Sequence, residues 1–420
     1  MLIAVGFIGL ITAIVLLVKK YEARMVLFMV GIVLTLIAMN PVAGFKAYTA
    51  AIKGSNIIEI IVSSMGFAMV LEYTKCDKHL VHFLAKGLKK FGPALIPGAV
   101  AVTAFVHISI PSAAGCTAAV GSVLIPILIG SGVHPAMAAS TVFAGTYGAS
   151  HLHPGFHQNV VISEAAKHTP IEVVSNHFVV VLILGAVVAA GMTLTAYLRK
   201  EHKGYHSELE GEEFEVNYLK AFVPLFPLVL IILGTMNIVP QLKVLAISHS
   251  MLIGVIFACL VTRTNPGHIA EAFFKGMGSA FGHIYGIIIC STVFVAGLTA
   301  TGLLKMLLDG MSAHPDFAKI SASFGPFLLA VICGSGDAAS VAFNGAVTPS
   351  AAQFGIEPLN LGSVAAIGAA VGRSMSPIAG AALVACGLAG VKDPMDIAKR
   401  NGPVMLVTTL VMSALLLYMR

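Results

Sequence analysis

The chain contains few charged residues and no tryptophan. Of its 420 residues, 10% are charged and 57% are apolar, and the mean hydropathy is +0.93. Soluble domains use roughly 25% charged and 45–50% apolar residues. This shortage of charge excludes an ordinary soluble domain, and no nucleic-acid partner is expected. The composition predicts a polytopic membrane protein whose surroundings are the lipid bilayer.

The sequence also lacks paired metal-binding cysteines and the features of a cleaved signal peptide. The six cysteines form no CxxC pair, so we expect small packing residues, with neither a resident metal nor a cofactor. The first segment, 2–18, has no basic residue before its apolar stretch and no small-residue cleavage site after it. It therefore predicts a retained spanning helix and not a signal peptide.

Apolar segments of spanning length recur along the chain. A bilayer requires roughly 20 residues, and candidates fall at 2–18, 25–39, 56–74, 171–198, 219–239, 246–262, 279–300 and 402–419. The segments 75–92 and 303–319 are typical of interfacial helices that lie flat on a membrane. The polar run at 199–218 predicts a cytoplasmic linker.

An internal repeat joins the two halves of the chain. Residues 111–157 align without gaps on 334–380, at a constant shift of 223. Three prolines coincide, although a proline content of 19 in 420 makes only about 0.1 coincidence expected by chance. We therefore predict two repeats, and each would contain a re-entrant hairpin and a broken helix. The repeats would cover 1–198 and 219–420, with hairpins at about 93–133 and 315–355 and broken helices at about 135–168 and 358–390.

The number of membrane crossings predicts that the two repeats are inverted. Three spanning helices, a hairpin that returns to its own side, a broken helix and a last helix make an odd number of crossings in each half. With both termini outside, 17 basic residues lie inside and 7 outside, as the positive-inside rule favours. Inverted repeats with interrupted helices are typical of secondary transporters that bind substrate between the repeats. The expected fold is thus an all-α, inverted-repeat membrane transporter.

Small polar residues interrupt each half twice. The hairpin tips are 109–117 and 333–340, and the later helices break at 148–155 and 372–380. Such breaks leave unpaired amides at helix N-termini, which attract anions, while carbonyls at helix C-termini can hold a cation. Four such ends meeting in mid-membrane would form a binding site.

The chain resembles the bacterial anaerobic four-carbon dicarboxylate carriers of the DcuC type, within the ion transporter superfamily. The likeness is densest at 333–339, 348–358, 372–390 and 397–404. The resemblance implies an inner-membrane carrier of succinate, fumarate or related dicarboxylates. It also implies an elevator-like motion of hairpins and broken helices against a homodimeric scaffold. The family usually carries Asn where this chain has Asp337.

Arg373 and Asp337 are the main candidate site residues. A cation inside a bilayer costs at least roughly 2.5–3.5 kcal/mol, so Arg373 binds either a substrate carboxylate or a structural partner, namely Asp337 or a carbonyl. Asp337 would bind Na⁺, take up H⁺ or cap a helix. Small hydroxyl residues nearby are either ligands or packing residues. The candidate substrate contacts are Arg373, Ser374, Ser376, Ser335, Gly336, Ser112, Thr117, Ser150, His151 and His153, and the candidate ion-coupling residues are Asp337, Ser340, Gly334 and Gly372.

Several histidines lie in or near the predicted breaks. His151, His153 and His157 would bind a carboxylate, relay a proton or hydrogen-bond across the broken helix. A metal site is disfavoured because no Cys or carboxylate lies in register. His107 and His283 lie on apolar faces, and we expect them to be hydrogen-bonded core or interface residues.

Other functions remain open at this point. The substrate could be another organic anion, such as a tricarboxylate, a monocarboxylate or an amino acid. An anion channel can also use half-helix ends. An intramembrane enzyme would need a nucleophile with a base, or a pair of carboxylates. The repeat places Ala114 opposite Asp337, which weakens the scheme with two carboxylates.

Overall fold

The protein is described by a computed structural model that covers residues 1–53, 57–86, 94–205 and 214–419. Throughout these ranges the chain forms helices, turns and irregular connections, without strands, so the predicted all-α class is confirmed. Parts of four predicted segments lie outside the described residues. They are residue 56 of the third spanning segment, 87–92 of the first interfacial helix, residue 93 at the start of the first hairpin, and 206–213 of the linker.

Ten α-helices lie in the described part of the first half of the chain. They are α1 (Leu2–Val18), α2 (Ala23–Ile37), α3 (Pro41–Lys53), α4 (Ile57–Thr74), α5 (Cys76–Ala85), α6 (Leu95–Ser109), α7 (Ala113–Gly130), α8 (Pro135–Ala144), α9 (His157–Ala166) and α10 (Pro170–Leu198). A 3₁₀ turn at Ala149–Leu152 lies between α8 and α9.

Eleven α-helices lie in the described part of the second half. They are α11 (Tyr218–Phe222), α12 (Phe226–Thr235), α13 (Ile247–Thr262), α14 (Pro266–Ser279), α15 (Gly286–Ala300), α16 (Leu303–Ala313), α17 (Pro315–Cys333), α18 (Gly336–Ala346), α19 (Pro358–Arg373), α20 (Gly380–Ala389) and α21 (Met395–Ser413). A π-helical turn, Ala280–Tyr285, joins α14 to α15, and a second one, Ala414–Tyr418, extends α21.

Several helices are long and apolar enough to cross a membrane. Within the described ranges six segments meet this condition by length and composition, and the bent pair α3–α4 would make a seventh. The six are 113–130, 170–198, 218–235, 266–300, 315–333 and 395–418. Shorter apolar helices include α1, α2 and α13. The prediction of a multi-pass membrane protein is confirmed.

Local sequence signals set the ends of the helices. Thr169 and Glu172 form a capping box at the start of α10, where Pro170 supplies a preset φ and needs no amide partner. The two amphipathic helices α5 and α16 each follow a left-handed residue, Lys75 (φ 58°) and Gly302 (φ 77°). These two residues turn the chain sharply after α4 and α15, so α5 and α16 begin as separate helices.

The two halves pack on each other in a reciprocal manner. Helix α2 packs on α15, and the corresponding α13 packs on α4. Likewise α20 packs on α7 and α8, whereas α9 packs on α18 and α19. Each half therefore covers the paired helices of the other half with its own short helix.

Helices α8 and α19 lie at the centre of this arrangement. Every residue from 136 to 144 in α8 is buried, and so is every residue from 361 to 372 in α19. Small side chains allow close contact with neighbouring helices. At Gly372, for example, a Cβ atom would lie 2.2 Å from the carbonyl oxygen of Phe327 in α17. The close packing fixes where α8 and α19 end.

A buried ion pair joins the two halves at one end of the molecule. Arg400 in α21 donates to both carboxylate oxygens of Glu201, at 2.8 Å from Nε and 2.6 Å from Nη2. The side chains of Arg400 and Glu201 are 6% and 15% exposed. Glu201 directly follows α10, so the pair connects the last helices of the two halves.

Candidate functional site

A cavity of about 350 Å³ lies where the interrupted helices of both halves meet. Its volume lies in the lower part of the range for small-molecule sites, roughly 300–1,000 Å³. The turn between α6 and α7, the turn between α17 and α18, and both chain breaks contribute to the wall. The lining residues are Met65, His107, 111–114, Ser150, 156–158, Ser279, His283, Ile284, 334–337, Ala370, Arg373, Gly380 and Ala381. We call this space the central cavity.

Four helices begin at the central cavity, namely α7, α9, α18 and α20, and serine side chains cap two of them. Ser112 caps α7 by accepting a hydrogen bond from the Gly115 amide at 3.2 Å. Ser335 caps α18 in the same way, since its side-chain oxygen accepts a hydrogen bond from the Ala338 amide at 3.3 Å. The two caps are equivalent in the repeat, with a shift of 223. Because helix N-termini carry partial positive charge and unpaired amides, the pair can bind anionic groups.

Arg373 lines the cavity at the end of α19, and it contacts the break of the opposite half. Its Nη2 donates to the Thr146 carbonyl oxygen at 2.6 Å, and its Nη1 donates to Thr146 Oγ1 at 3.2 Å. Among the described residues, Arg373 forms no ion pair with any carboxylate, Asp337 included. Of the two expected structural partners, the carbonyl is the one found. These bonds use two of the five guanidinium donors, which leaves donors for a ligand.

Asp337 lies at the start of α18 and is bound by α9 of the first half. Its Oδ1 lies 2.8 Å from His157 Nε2 and accepts from Gln158 Nε2 at 2.7 Å. The Asp337 side chain is nevertheless 43% exposed, and it faces the central cavity. A carboxylate placed in this way can hold a proton or a small cation.

Half of the fourteen predicted site residues line the central cavity. These seven are Arg373, Ser335, Gly336, Ser112, Ser150, Asp337 and Gly334. His157 joins them through its contact with Asp337. Gly334 has a φ of 72°, a left-handed conformation that favours glycine, and it ends α17 next to the Ser335 cap.

The other seven predicted residues do not line the cavity. They are Ser374, Ser376, Thr117, His151, His153, Ser340 and Gly372. Ser374 donates to backbone carbonyls of Ala370 and Thr146, at 3.0 and 3.3 Å, so it holds α19 against the opposite break. Gly372 is a packing residue that contacts α17. Ser340 accepts a 3.3 Å bond from Asn344 in its own helix, behind the cavity wall.

The histidines of the first break hold its backbone in place. His151 Nδ1 lies 2.9 Å from the Gly148 carbonyl oxygen, and its Nε2 lies 3.1 Å from Gln158 Oε1. His153 Nδ1 accepts from the Gly155 amide at 2.9 Å. These are hydrogen bonds across the break, one of the three roles considered for the cluster. No group of three residues able to bind a metal occurs in the ranges that the structure describes.

Sequence reasoning missed three residues of this region. Gln158 links Asp337 to His151, and Thr146 anchors Arg373. His107 lines the cavity, is 1% exposed, and has no hydrogen-bond partner for either ring nitrogen among the described residues. His107 is buried as expected, but the expected hydrogen bond is not found among the described residues. His283 is exposed and lines the cavity, so a core position is wrong for it, while an interface position stays a prediction.

Comparisons with known proteins agree with this architecture. The model of the C4-dicarboxylate anaerobic carrier family matches residues 37–420. An uncharacterized transporter of Haemophilus influenzae is 39% identical over 279 residues, which are 63% of this chain and all of that protein. The anaerobic C4-dicarboxylate transporter DcuC of Escherichia coli K12 is 22% identical over 438 residues, 93% of this chain and 90% of that one.

Two solved structures share the fold. The Alcanivorax borkumensis YdaH transporter has a TM-score of 0.64 and 15% identity, over 89% of this chain and 87% of its own. Neisseria gonorrhoeae MtrF has a TM-score of 0.66 and 14% identity, over 91% of this chain and 86% of the MtrF chain. At such identities the likeness concerns the fold alone.

Proposed function

Because this chain belongs to the C4-dicarboxylate anaerobic carrier family, we propose that it is a secondary active transporter of small carboxylates in the bacterial inner membrane. Its family and relatives are transporters and not enzymes. C4-dicarboxylates such as succinate and fumarate are the proposed substrates. The name of the Escherichia coli relative, and the presence of Arg373 and two serine-capped helix N-termini at the central cavity, support this choice.

The observation that carries the proposal is the meeting of Arg373 with two helix N-termini in one cavity. Ser112 and Ser335 place the starts of α7 and α18 at the cavity wall, one from each half. A dicarboxylate has two anionic ends, and each N-terminus offers amide donors to one of them. Arg373 adds a planar fork that can hold a carboxylate through two bonds.

Asp337 is the proposed coupling residue. Its carboxylate would repel a dianion, so binding of a cation at Asp337 lowers the cost of substrate binding. The exposed part of its side chain can accept H⁺ or help to bind Na⁺. Binding of substrate and cation would then favour each other, which is the thermodynamic basis of symport or ion-coupled exchange.

An inverted repeat and an elevator-like motion complete the proposed mechanism. The reciprocal packing of α2 on α15 and of α13 on α4 supports a two-fold relation between the halves. The odd number of crossings and the distribution of basic residues support inversion, with both termini outside. The helices α6–α9 and α17–α20 would move together with the substrate against the remaining helices, in a homodimer.

Counterflow in liposomes tests the proposed function. Purified protein is reconstituted with unlabelled succinate inside, and uptake of labelled succinate is followed while Na⁺ and pH are varied independently. A carrier gives saturable uptake that internal succinate stimulates. Citrate, lactate and alanine serve as competitors for the other anion classes, and liposomes without protein are the control. Unsaturable flux that carries current would indicate a channel instead.

A further inference from the structure

A second cavity, of about 400 Å³, lies between helices α3, α9, α15 and α18. Its wall is largely apolar, with one acidic and one basic residue. The lining residues are Ala50, Ala51, Val161, Glu164, Ala165, Lys167, Tyr285, Ile288, Ser291, Thr292, Val295, Val341, Gly345 and Pro349. We call it the side cavity.

The side cavity continues the central cavity along three chain segments that line both of them. These are α9, α18 and the π-helical turn that leads into α15. On α18 the central cavity is lined by Asp337 and the side cavity by Val341 and Gly345. On α9 the lining passes in the same way from 157–158 to 161–167. Since an α-helix rises 1.5 Å per residue, Gly345 lies about 12 Å beyond Asp337 along the axis. Half of a bilayer's hydrocarbon core is roughly 15 Å thick, so this distance spans most of the way from mid-membrane to the surface.

The outer end of the side cavity carries charge. Glu164 and Lys167 lie near the end of α9, and both are exposed. Lys167 ends the helix in a left-handed conformation with a φ of 61°. A basic side chain at the mouth of a cleft raises the local concentration of anions. Charged residues also belong at the membrane surface and not within its core.

The interior of the side cavity offers a polar group without a partner. Ser291 in α15 is 3% exposed, and its hydroxyl makes no hydrogen bond to any described residue. Buried hydroxyl groups are normally paired, and an unpaired one costs about 1–3 kcal/mol. Ser291 lines the side cavity, but its hydroxyl is covered in this conformation, so it can donate a hydrogen bond to a passing carboxylate only after α15 and its neighbours move apart.

Apolar and aromatic residues separate the two cavities. Val161, Tyr285 and Val341 are the side-cavity residues nearest in sequence to the central cavity on their three segments. Tyr285 is 2% exposed and donates a hydrogen bond to the Ala51 carbonyl oxygen, which ties the π-helical turn before α15 to α3. On α9 and α18 about one helical turn separates the linings of the two cavities, whereas Ile284 and Tyr285 are adjacent in the chain.

We propose that the side cavity is the passage through which the carboxylate reaches and leaves the central cavity. Val161, Tyr285 and Val341 form the barrier that closes it in this conformation. The anion enters beside Lys167, passes the Ser291 hydroxyl, and crosses the barrier when α9 and α18 move away from α3 and α15. The inference rests on the proposed carrier function.

A pair of glycines allows a matched test. A Cβ atom added at Gly345 or at Gly387 would meet no other atom within 4 Å, and both glycines are exposed near the end of a short helix. Gly345 lines the side cavity, whereas Gly387 lines neither cavity. Each is replaced by Cys in a chain whose native cysteines are replaced by Ala and which retains succinate counterflow. Thiol reagents of equal size and opposite charge are then applied.

The anionic adduct at Gly345→Cys is expected to abolish most succinate counterflow, and the cationic adduct to reduce it less. Neither adduct at Gly387→Cys should change the rate. Applying an impermeant reagent outside or inside the liposomes shows on which side the passage opens. Complete modification of Gly345→Cys, verified by mass, with an unchanged exchange rate would overturn the proposal. Modification from neither side would also overturn it, whereas failure of wild-type counterflow would overturn the carrier function itself.

Two further comparisons do not depend on the cysteine-free chain. In the native sequence Gly345→Trp should block counterflow and Gly387→Trp should not. Lys167→Gln should raise the half-saturating succinate concentration roughly two- to fivefold at low ionic strength, the size expected for an exposed charge, and this effect should vanish in high salt. Lys243→Gln, an exposed lysine that lines neither cavity, is the control. The proposed passage would be contradicted if the two Trp variants exchanged succinate at equal rates and the two Gln variants had equal half-saturating succinate concentrations.

Discussion

Replacement of Arg373 by Lys tests the central cavity most directly. The bonds to Thr146, at 2.6 and 3.2 Å, fix the plane of the guanidinium at the cavity wall. Lysine retains the positive charge but replaces the planar fork by a point charge, so one of two bonds to a substrate carboxylate is lost. A hydrogen bond to a charged group contributes about 1.5–3 kcal/mol. At 1.4 kcal/mol for each factor of ten, the half-saturating succinate concentration should rise about 10- to 150-fold.

The assay is succinate counterflow across a range of concentrations, together with thermal unfolding in detergent. Thr146→Val is the matched control, because it removes only the hydroxyl acceptor and leaves the carbonyl that Arg373 binds at 2.6 Å. We expect its half-saturating concentration to stay near that of the wild type. Wild-type affinity in Arg373→Lys would refute a substrate role for Arg373. Equal losses of affinity and thermal stability in both variants would show that Arg373 is only a strut between the halves.

Three further changes address coupling, packing and pH dependence. Asp337→Asn should alter the Na⁺ or pH dependence of counterflow while the melting temperature stays near wild type, since the amide cannot ionise. Gly372→Ala should lower the melting temperature and cost about 1–3 kcal/mol or more, because its methyl group would overlap the Phe327 carbonyl oxygen. Burial raises the pKa of Glu201, but its bonds to Arg400 outweigh this, so the net pKa lies below the ordinary value. The ion pair therefore stabilises the fold at neutral pH, and this stabilisation is lost as pH falls below about 4.5. Glu201→Gln should cost about 1.5–3 kcal/mol at pH 7, the contribution of a hydrogen bond to a charged group, and flatten the acid loss of stability.

Each of these changes has an outcome that would contradict it. An unchanged cation and pH profile in Asp337→Asn would remove that residue from coupling. For the packing prediction, Gly387→Ala is the control, since a Cβ atom there meets no neighbour. Equal melting temperatures of the two alanine variants would show that α17 and α19 can move apart at no cost. The Glu201 reasoning fails if wild type and Glu201→Gln lose stability in parallel between pH 6 and pH 3.

The sequence predicted where helices are interrupted better than it predicted which side chains face the cavity. Ser112 and Ser335 were predicted as small hydroxyl residues at the hairpin tips, and in the structure both of them cap helices. Thr117 and Ser340 each lie five residues further on, and neither lines the cavity. Five residues turn a helix by about 500°, which leaves these side chains roughly 140° away from the caps. The helical phase could be calculated only once the first helical residue was known.

Contacts between the halves could not be predicted from local patterns. Thr146 and Arg373 are 227 positions apart, and Gln158 and Asp337 are 179 apart. The repeat alignment pairs equivalent positions of the two halves, but it does not show which residues touch. His107 carries no sequence signal that distinguishes a cavity residue from a core residue, because its neighbours in α6 are mostly apolar in either case. Such assignments need the packing of α6 against the break at 148–155 in its own half.

The exchange of short helices between the halves limits how this molecule can be divided. Because α9 covers α18 and α19, and α20 covers α7 and α8, a fragment that ends after α10 would expose one side of its own helix pair. We therefore expect neither half to fold alone, and a gene split within the linker should yield a working carrier only when both pieces are made in the same cell. Under the proposed duplication, a single-copy ancestor would have met the same requirement by associating with a second molecule of itself.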